Sequence, residues 1–208
     1  MFMEIDYESY PLNEEANFTK EKSNKKQILL CHSNMGAMDH YEYWCDRYIS
    51  KATPFSIDEN GMIYQHYDPS YICEMFNDFA ANQKIIPITL SNKGSLFKIN
   101  NKLVNVFGIE VNDDFTNVKW RDREYFHNYT NKQLDSVVDL CSYLCDEYDI
   151  PTTVVNTNIK DEYIFYFSGI VYRSNYSEYH YDLSPAWNFK KFKSKVENNS
   201  VLKDTEIN

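Results

Sequence analysis

The chain has 208 residues, 43% of them hydrophobic, which suits one domain with a real core. Its net charge of -10 opposes phosphate backbones and anionic lipid, so neither a nucleic-acid binder nor a membrane-surface protein is expected. Five glycines and no G-x-x-x-x-G-K or G-x-G-x-x-G run argue against a phosphate loop, and no apolar run reaches the length of a membrane span.

Residues 1–26 read as an extended polar arm that ends in a Lys-rich run. Its acidic, polar start does not read as a signal peptide. The five cysteines (Cys31, Cys45, Cys73, Cys141, Cys145) are odd in number and read as reduced thiols, with Cys141 and Cys145 packing on one helix face. Residues 27–32 are a short apolar run, a buried strand ending in His32. Residues 38–50 place Met38, Tyr41, Trp44, Cys45 and Tyr48 on one helical stripe. Residues 52–57 and 62–65 flank Asn60-Gly61, a hairpin signal. A short helix is expected at 70–80. Residues 85–90 form a strand in which Pro87 needs a place where no N–H is wanted. Residues 95–111 alternate around Asn100-Asn101, a second hairpin. Residues 119–129 read as an aromatic, charged connector.

Thr130 and Gln133 form a capping box for a helix whose stripe is Leu134, Val137, Val138, Cys141, Leu144, Cys145 and Tyr148. It stops before Pro151. Val154-Val155 and residues 163–172 are strand-like. A polar, aromatic loop then leads to a final helix over 185–197, and the last ten residues read as a frayed tail. The pattern is α/β: a single mixed β-sheet flanked by helices.

If the strand ending at His32 and the one ending at Tyr172 are neighbours, His32, His180 and Asp182 share one cleft. Each has a plainer reading. His32 could be a hydrogen-bonded strand-end histidine, Asp182 an N-cap for the last helix, and His180 a surface residue. His40, His66 and His127 are expected on polar faces. Tyr172, Tyr176, Tyr179 and Tyr181 could stack on sugar rings or fill an interface.

The order of these parts resembles the type 2 N-acetylmuramoyl-L-alanine amidases and peptidoglycan-recognition proteins. Residues 28–34 resemble the first strand with its His-x-Thr ending. Residues 52–64 resemble the "YHFVIDRDGTIY" hairpin. Residues 82–94 (N-Q-K-I-I-P-I-T-L-S-N-K-G) resemble "N-x-x-S-I-G-I-E-L-x-N-x-G". Residues 130–151 resemble the T-x-x-Q helix leading to "Y-x-I-P", and 172–189 resemble "G-H-R-D…K-T-D-P-G-P-A-F-D-W". The resemblance implies an amidase-like domain over 27–197, an inserted hairpin over 95–128 and a polar tail over 198–208.

It also implies a zinc ion held by two His and one Asp or Cys. His32 falls on the first ligand and Asp182 on the third. The second ligand position holds Tyr172, and the family's catalytic Tyr or Glu falls on Thr53. The basic catalytic residue two before the third ligand falls on His180. Substrate contacts fall to Tyr172, Tyr179 and Asn92. Such a phage-type protein would act on or bind peptidoglycan with an impaired zinc site, in the host cytoplasm or the virion. The alternative is an inactive structural component of a phage virion, partnered by other virion proteins.

Overall fold

The computed structural model describes residues 3–12, 18–34, 37–47, 52–112 and 114–206. Its main sheet has six strands: β1 (Ile5–Asp6), β2 (Gln27–Ser33), β3 (Phe55–Ile57), β4 (Ile63–Gln65), β5 (Ile85–Ser91) and β10 (Gly169–Tyr172). They run in the order β1-β4-β3-β5-β2-β10. β5 pairs in parallel with β2 and β3, β2 in parallel with β10, and β3 antiparallel with β4. Every residue of β5 is buried, as is all of β2 except the half-buried His32, because both faces of these parallel strands are covered.

On one face Ile28, Leu30, Ile86, Ile88 and Leu90 meet α3 (Asn131–Glu147) and α5 (Phe189–Glu206) through Leu134, Val137, Cys141, Leu144, Phe192 and Val196. Each such fully buried aliphatic side chain contributes about 1.5–3 kcal/mol. The opposite face carries Leu29, Cys31, Ile85 and Val171 against Cys73, Met75 and Ile164. The capping box of Thr130 and Gln133 is present in full at the start of α3. Gln133 also donates to the Ser91 carbonyl at 2.7 Å, which ties the helix start to the end of β5.

Helix α1 (Ala37–Arg47) lies where the aromatic stripe put it; Tyr48 of that stripe is outside the described residues. The β3–β4 hairpin turns at Gly61, whose φ is +85°. Pro87 sits in an interior strand, one residue before the β3 ladder begins at Ile88. The arm is not free. Its β1 adds an edge strand to β4, and Lys25 is buried, donating to the Tyr71 carbonyl at 2.8 Å.

Several expectations are corrected. The helix expected over 70–80 is instead α2 (Phe79–Lys84), because Asp78 caps it by accepting from the Ala81 amide. The insertion is not one hairpin but a second sheet, β7-β6-β9-β8, of β6 (Ser95–Ile99), β7 (Lys102–Val104), β8 (Phe115–Trp120) and β9 (Arg123–His127). Asn100 and Asn101, with φ of 48° and 63°, make the first tight turn as expected. The "connector" is the β8–β9 hairpin, turned at Arg121 (φ 56°), a residue that gives no turn signal. Residues 163–168 are a 3-10 turn (Ile164–Tyr166) rather than strand. Val154 forms only a bridge to Ile170, with Thr153 and Val155 bonding the same residue along the outer edge of β10. Helix α5 starts at Phe189, where Asn188 accepts from the Lys191 amide, and runs on to Glu206. His66 and His127 are buried, not on polar faces; His66 bonds Ser56 and the Tyr10 carbonyl. Among the described residues, no helix is long and apolar enough to cross a membrane.

Candidate functional site

The candidate site stands at the carboxyl ends of β2, β5 and β10, where open α/β sheets hold ligands. Strand β10 ends at Tyr172 and passes into the single turn α4 (Arg173–Tyr176). The following loop returns to the strand end, fixed by the Ser174 amide on the Asp182 carbonyl at 2.8 Å. Its Asp182–Leu183 peptide is cis.

The side chain of Asp182 is 2% exposed and fully engaged. Oδ2 accepts the His32 backbone amide at 3.1 Å and lies 2.8 Å from Arg173 Nε, which is 3.1 Å from Oδ1. Burial alone would raise this carboxyl. Arg173, then His32 and last His180, overcome burial and hold it below the usual carboxylate range. Burial works against the Arg173 charge, but Asp182, Cys31 and Tyr129 together hold it above its ordinary value. Asp182 is thus not the N-cap of α5; it is half of an ion pair. Sequence reasoning passed over Arg173. The "H-R" pair of the quoted motif aligned it, but its proximity to Asp182 needs the folded loop.

The ring of His32 bonds Tyr129 through Nδ1 at 2.9 Å. Burial lowers its pKa, with Asp182 pulling the other way. Tyr129 packs edge-on against Trp187 at 5.2 Å, and burial pushes its phenol up. In sequence Tyr129 belongs to the connector, and only its place one residue before the helix cap hints at a role. Close by, a Cβ on Gly94 (φ +71°) would lie 1.9 Å from Asn34 Oδ1 and 3.2 Å from His32 Nε2, so glycine is required there.

The remaining candidates separate. Tyr172 is fully buried, its ring edge-on to Phe189 at 5.0 Å, so it faces the core rather than a substrate. Strand alternation causes this: Tyr172 pairs with Leu30 and shares its α3-facing side. Thr53 is fully buried and donates to the Phe55 carbonyl at 2.8 Å, with the Thr89 hydroxyl oxygen 3.0 Å away. Thr89 stands where the quoted strand motif has Glu, and it lies 3.3 Å from the Cys31 thiol. Asn92 is buried and structural, taking the Gly94 amide at 2.7 Å and giving to the Asn128 carbonyl at 3.0 Å. Tyr179 is 85% exposed on the rim. His180 is half-buried, and its carbonyl accepts from Arg121 Nη1 at 2.6 Å.

That contact belongs to a clamp. Arg121 stacks on Trp120 at 4.4 Å and on Tyr181 at 5.4 Å, and also donates to the Glu178 carbonyl. Tyr181 donates to Asp122 and lies beneath Arg123 at 5.2 Å. The inserted sheet therefore grips the loop that carries His180 and Asp182.

Two cavities open here. One, of about 380 Å³, is lined by Asn34, Asp58, Asn60, Asn92, Phe107 and Ile109 among others, and lies between the β3–β4 turn and the inserted loop. The other, of about 390 Å³, is lined by Cys31, His32, His40, Trp44, Thr89 and Arg173, with Tyr43 and Met75.

The donor set does not fit zinc. A catalytic zinc needs three protein donors aimed at one point. Of the three ligand positions, Asp182 is closed by Arg173 and the Tyr172 phenol is turned into the core, which leaves His32. Among the described residues, no three His, Cys, Asp or Glu side chains come together as a metal site.

No curated protein sequence matches the chain. Among solved structures it is similar to the N-acetylmuramoyl-L-alanine amidase LysC from Clostridium intestinale URNW, at 12% identity, 93% of this chain, 97% of that one and a TM-score of 0.53. It is similar to a mutant endolysin from Bacillus subtilis, at 13% identity, 94% and 99% coverage and a TM-score of 0.56. It is also similar to the Staphylococcus aureus hydrolase AmiA solved with its ligand, at 11% identity, 93% and 82% coverage and a TM-score of 0.54. At these identities the likeness is one of fold. The family model described as N-acetylmuramoyl-L-alanine amidase matches residues 17–169, most of the chain, and stops short of the segment carrying Tyr172, Arg173 and Asp182. The chain belongs to the N-acetylmuramoyl-L-alanine amidase family.

Proposed function

We propose that this chain binds peptidoglycan through an amidase fold whose zinc centre does not assemble. The observation that carries the reading is the closure of Asp182 by Arg173 and the His32 amide. A metal at this point would have to displace a guanidinium from a buried carboxylate, which leaves the guanidinium uncompensated. The position that the resemblance gives to a catalytic Tyr or Glu holds Thr53, whose hydroxyl is spent on the Phe55 carbonyl at 2.8 Å and titrates at no physiological pH. When bound in a family site, zinc polarises the scissile carbonyl and activates water.

The residues that remain suit binding. The cleft beside the β3–β4 turn offers amide and carboxylate groups from Asn34, Asp58 and Asn60, with an apolar rim of Phe107 and Ile109. Phe107 and Ile109 are 57% and 52% exposed. Polar groups set among apolar ones match a ligand that is part sugar and part peptide. A virion structural role has no observation in its favour.

The test is direct. Purified protein is equilibrated with zinc, desalted and assayed for metal, then mixed with purified cell-wall sacculi. We expect co-sedimentation with sacculi, zinc well below one per chain and no fall in turbidity. Stoichiometric zinc that is lost in His32→Ala, together with lysis, sinks the proposal.

A further inference from the structure

We infer that the cavity lined by Arg173, His32, His40, Thr89 and Trp44 is a binding site for a small carboxylate with a short apolar body. It rests on one part of the proposed function, that Arg173 rather than a metal faces Asp182; it is independent of peptidoglycan binding.

The chain carries -10 overall, yet none of the described residues lining this cavity is acidic. The lining instead presents a guanidinium, two imidazoles, a hydroxyl and a phenol. Arg173 spends only one edge on Asp182, through Nε. The polar neighbour of Nη1 is the Met75 sulfur at 3.8 Å, a weak acceptor, and the side chain stays 25% exposed. A guanidinium presents its N–H groups in a planar fork that matches a carboxylate. His40 adds a buried Nδ1 with no hydrogen-bond partner. Trp44 is 3% exposed and Met75 5%, and they form the apolar wall. The charged end of the ligand is therefore read by Arg173 and His40, and its body by Trp44 and Met75.

The experiment follows the side-chain N–H signal of Arg173 by NMR in EDTA, so that zinc plays no part, while sodium butyrate is added. Butyramide, the same size without charge, is the control. We expect a saturable shift with butyrate at a Kd of about 1–10 mM, a value reasonable for so small a ligand. Butyramide should give none. Arg173→Lys keeps a charge for Asp182 but has no fork to share; followed by the indole N–H signal of Trp44, which lines the same cavity, its binding should be about tenfold weaker. If that variant does not fold, His40→Leu is used, with a loss of about threefold or more expected. No shift with butyrate, an equal shift with butyramide, or full binding by a folded Arg173→Lys or His40→Leu variant overturns the inference. Should sacculi fail to bind and this site still take butyrate, the proposed function falls and the inference stands. Should sacculi bind and butyrate not, the reverse holds.

Discussion

Replacing Arg173 with Ala removes one half of a buried ion pair and leaves the other in place. Breaking such a pair costs about 3–5 kcal/mol. The 25% exposure of the Arg173 side chain sets the lower end, about 3 kcal/mol, since water reaches the guanidinium. For a chain of this length about 2–4 °C accompanies each kcal/mol, so Tm should fall by about 6–12 °C. The pH dependence has a definite sign. Arg173 lowers the folded pKa of Asp182, so the pair's stability is present above the unfolded carboxylate value and is lost as pH falls through the folded one. Without Arg173 the buried carboxyl is pushed up instead, and it costs nothing once protonated. The deficit should therefore be largest near pH 7 and shrink below about pH 4. Adding Asp182→Asn to Arg173→Ala should recover part of the loss. Thermal melts and urea denaturation at pH 7 and below about pH 4 measure all of this. An Arg173→Ala protein that melts with the wild type at pH 7 refutes the claim that the pair closes the site.

Three further outcomes follow. Gly94→Ala should lower stability by about 1–3 kcal/mol in urea denaturation, since its Cβ meets Asn34 Oδ1 in a left-handed backbone. Arg121→Ala should speed limited proteolysis within residues 177–181 several-fold while moving Tm by only a few degrees, because the clamp holds a loop rather than the core. His66 is buried and its folded pKa lies at about 4 because burial disfavours the imidazolium. A depressed histidine is neutral in the fold and protonated in the unfolded chain, so stability falls as pH drops from about 6.5 towards 4, by about 1.4 kcal/mol per unit. His66→Gln should flatten that slope between pH 7 and pH 5.

Where local chemistry was strong, it could be read directly. The Thr130–Gln133 box, the Asn60-Gly61 turn and the Asn100-Asn101 turn each satisfy their own backbone, so sequence neighbours suffice to define them. The β8–β9 hairpin escaped notice because Arg121 supplies its positive φ through tertiary stacking on Trp120 and Tyr181, not through turn propensity. Residues 163–168 look like a strand by composition, yet Gln27 takes their carbonyls at 164 and 167 and bends the segment into a turn. At the site, His32 and Asp182 come together as expected. What chemistry that meeting permits was set by Arg173 and Tyr129, whose importance lies in distances of 2.8–2.9 Å across about 100 residues of chain or within a folded loop. Periodicity cannot report such pairings.

The strip formed by Thr153, Val154 and Val155 along β10 has a consequence for solubility. It takes up the amide and carbonyl of Ile170, and the carbonyl of Thr153 lies so near Gly169 that a Cβ there would meet it at 2.3 Å. The outermost strand thus offers no run of unpaired backbone groups to a second molecule. Exposed strand edges template self-association, and this one is plugged by the chain's own loop. A substitution that pushes the strip away, such as Gly169→Val, would uncover Ile170 to Tyr172 as an adhesive edge, turning a point defect in packing into a tendency to aggregate.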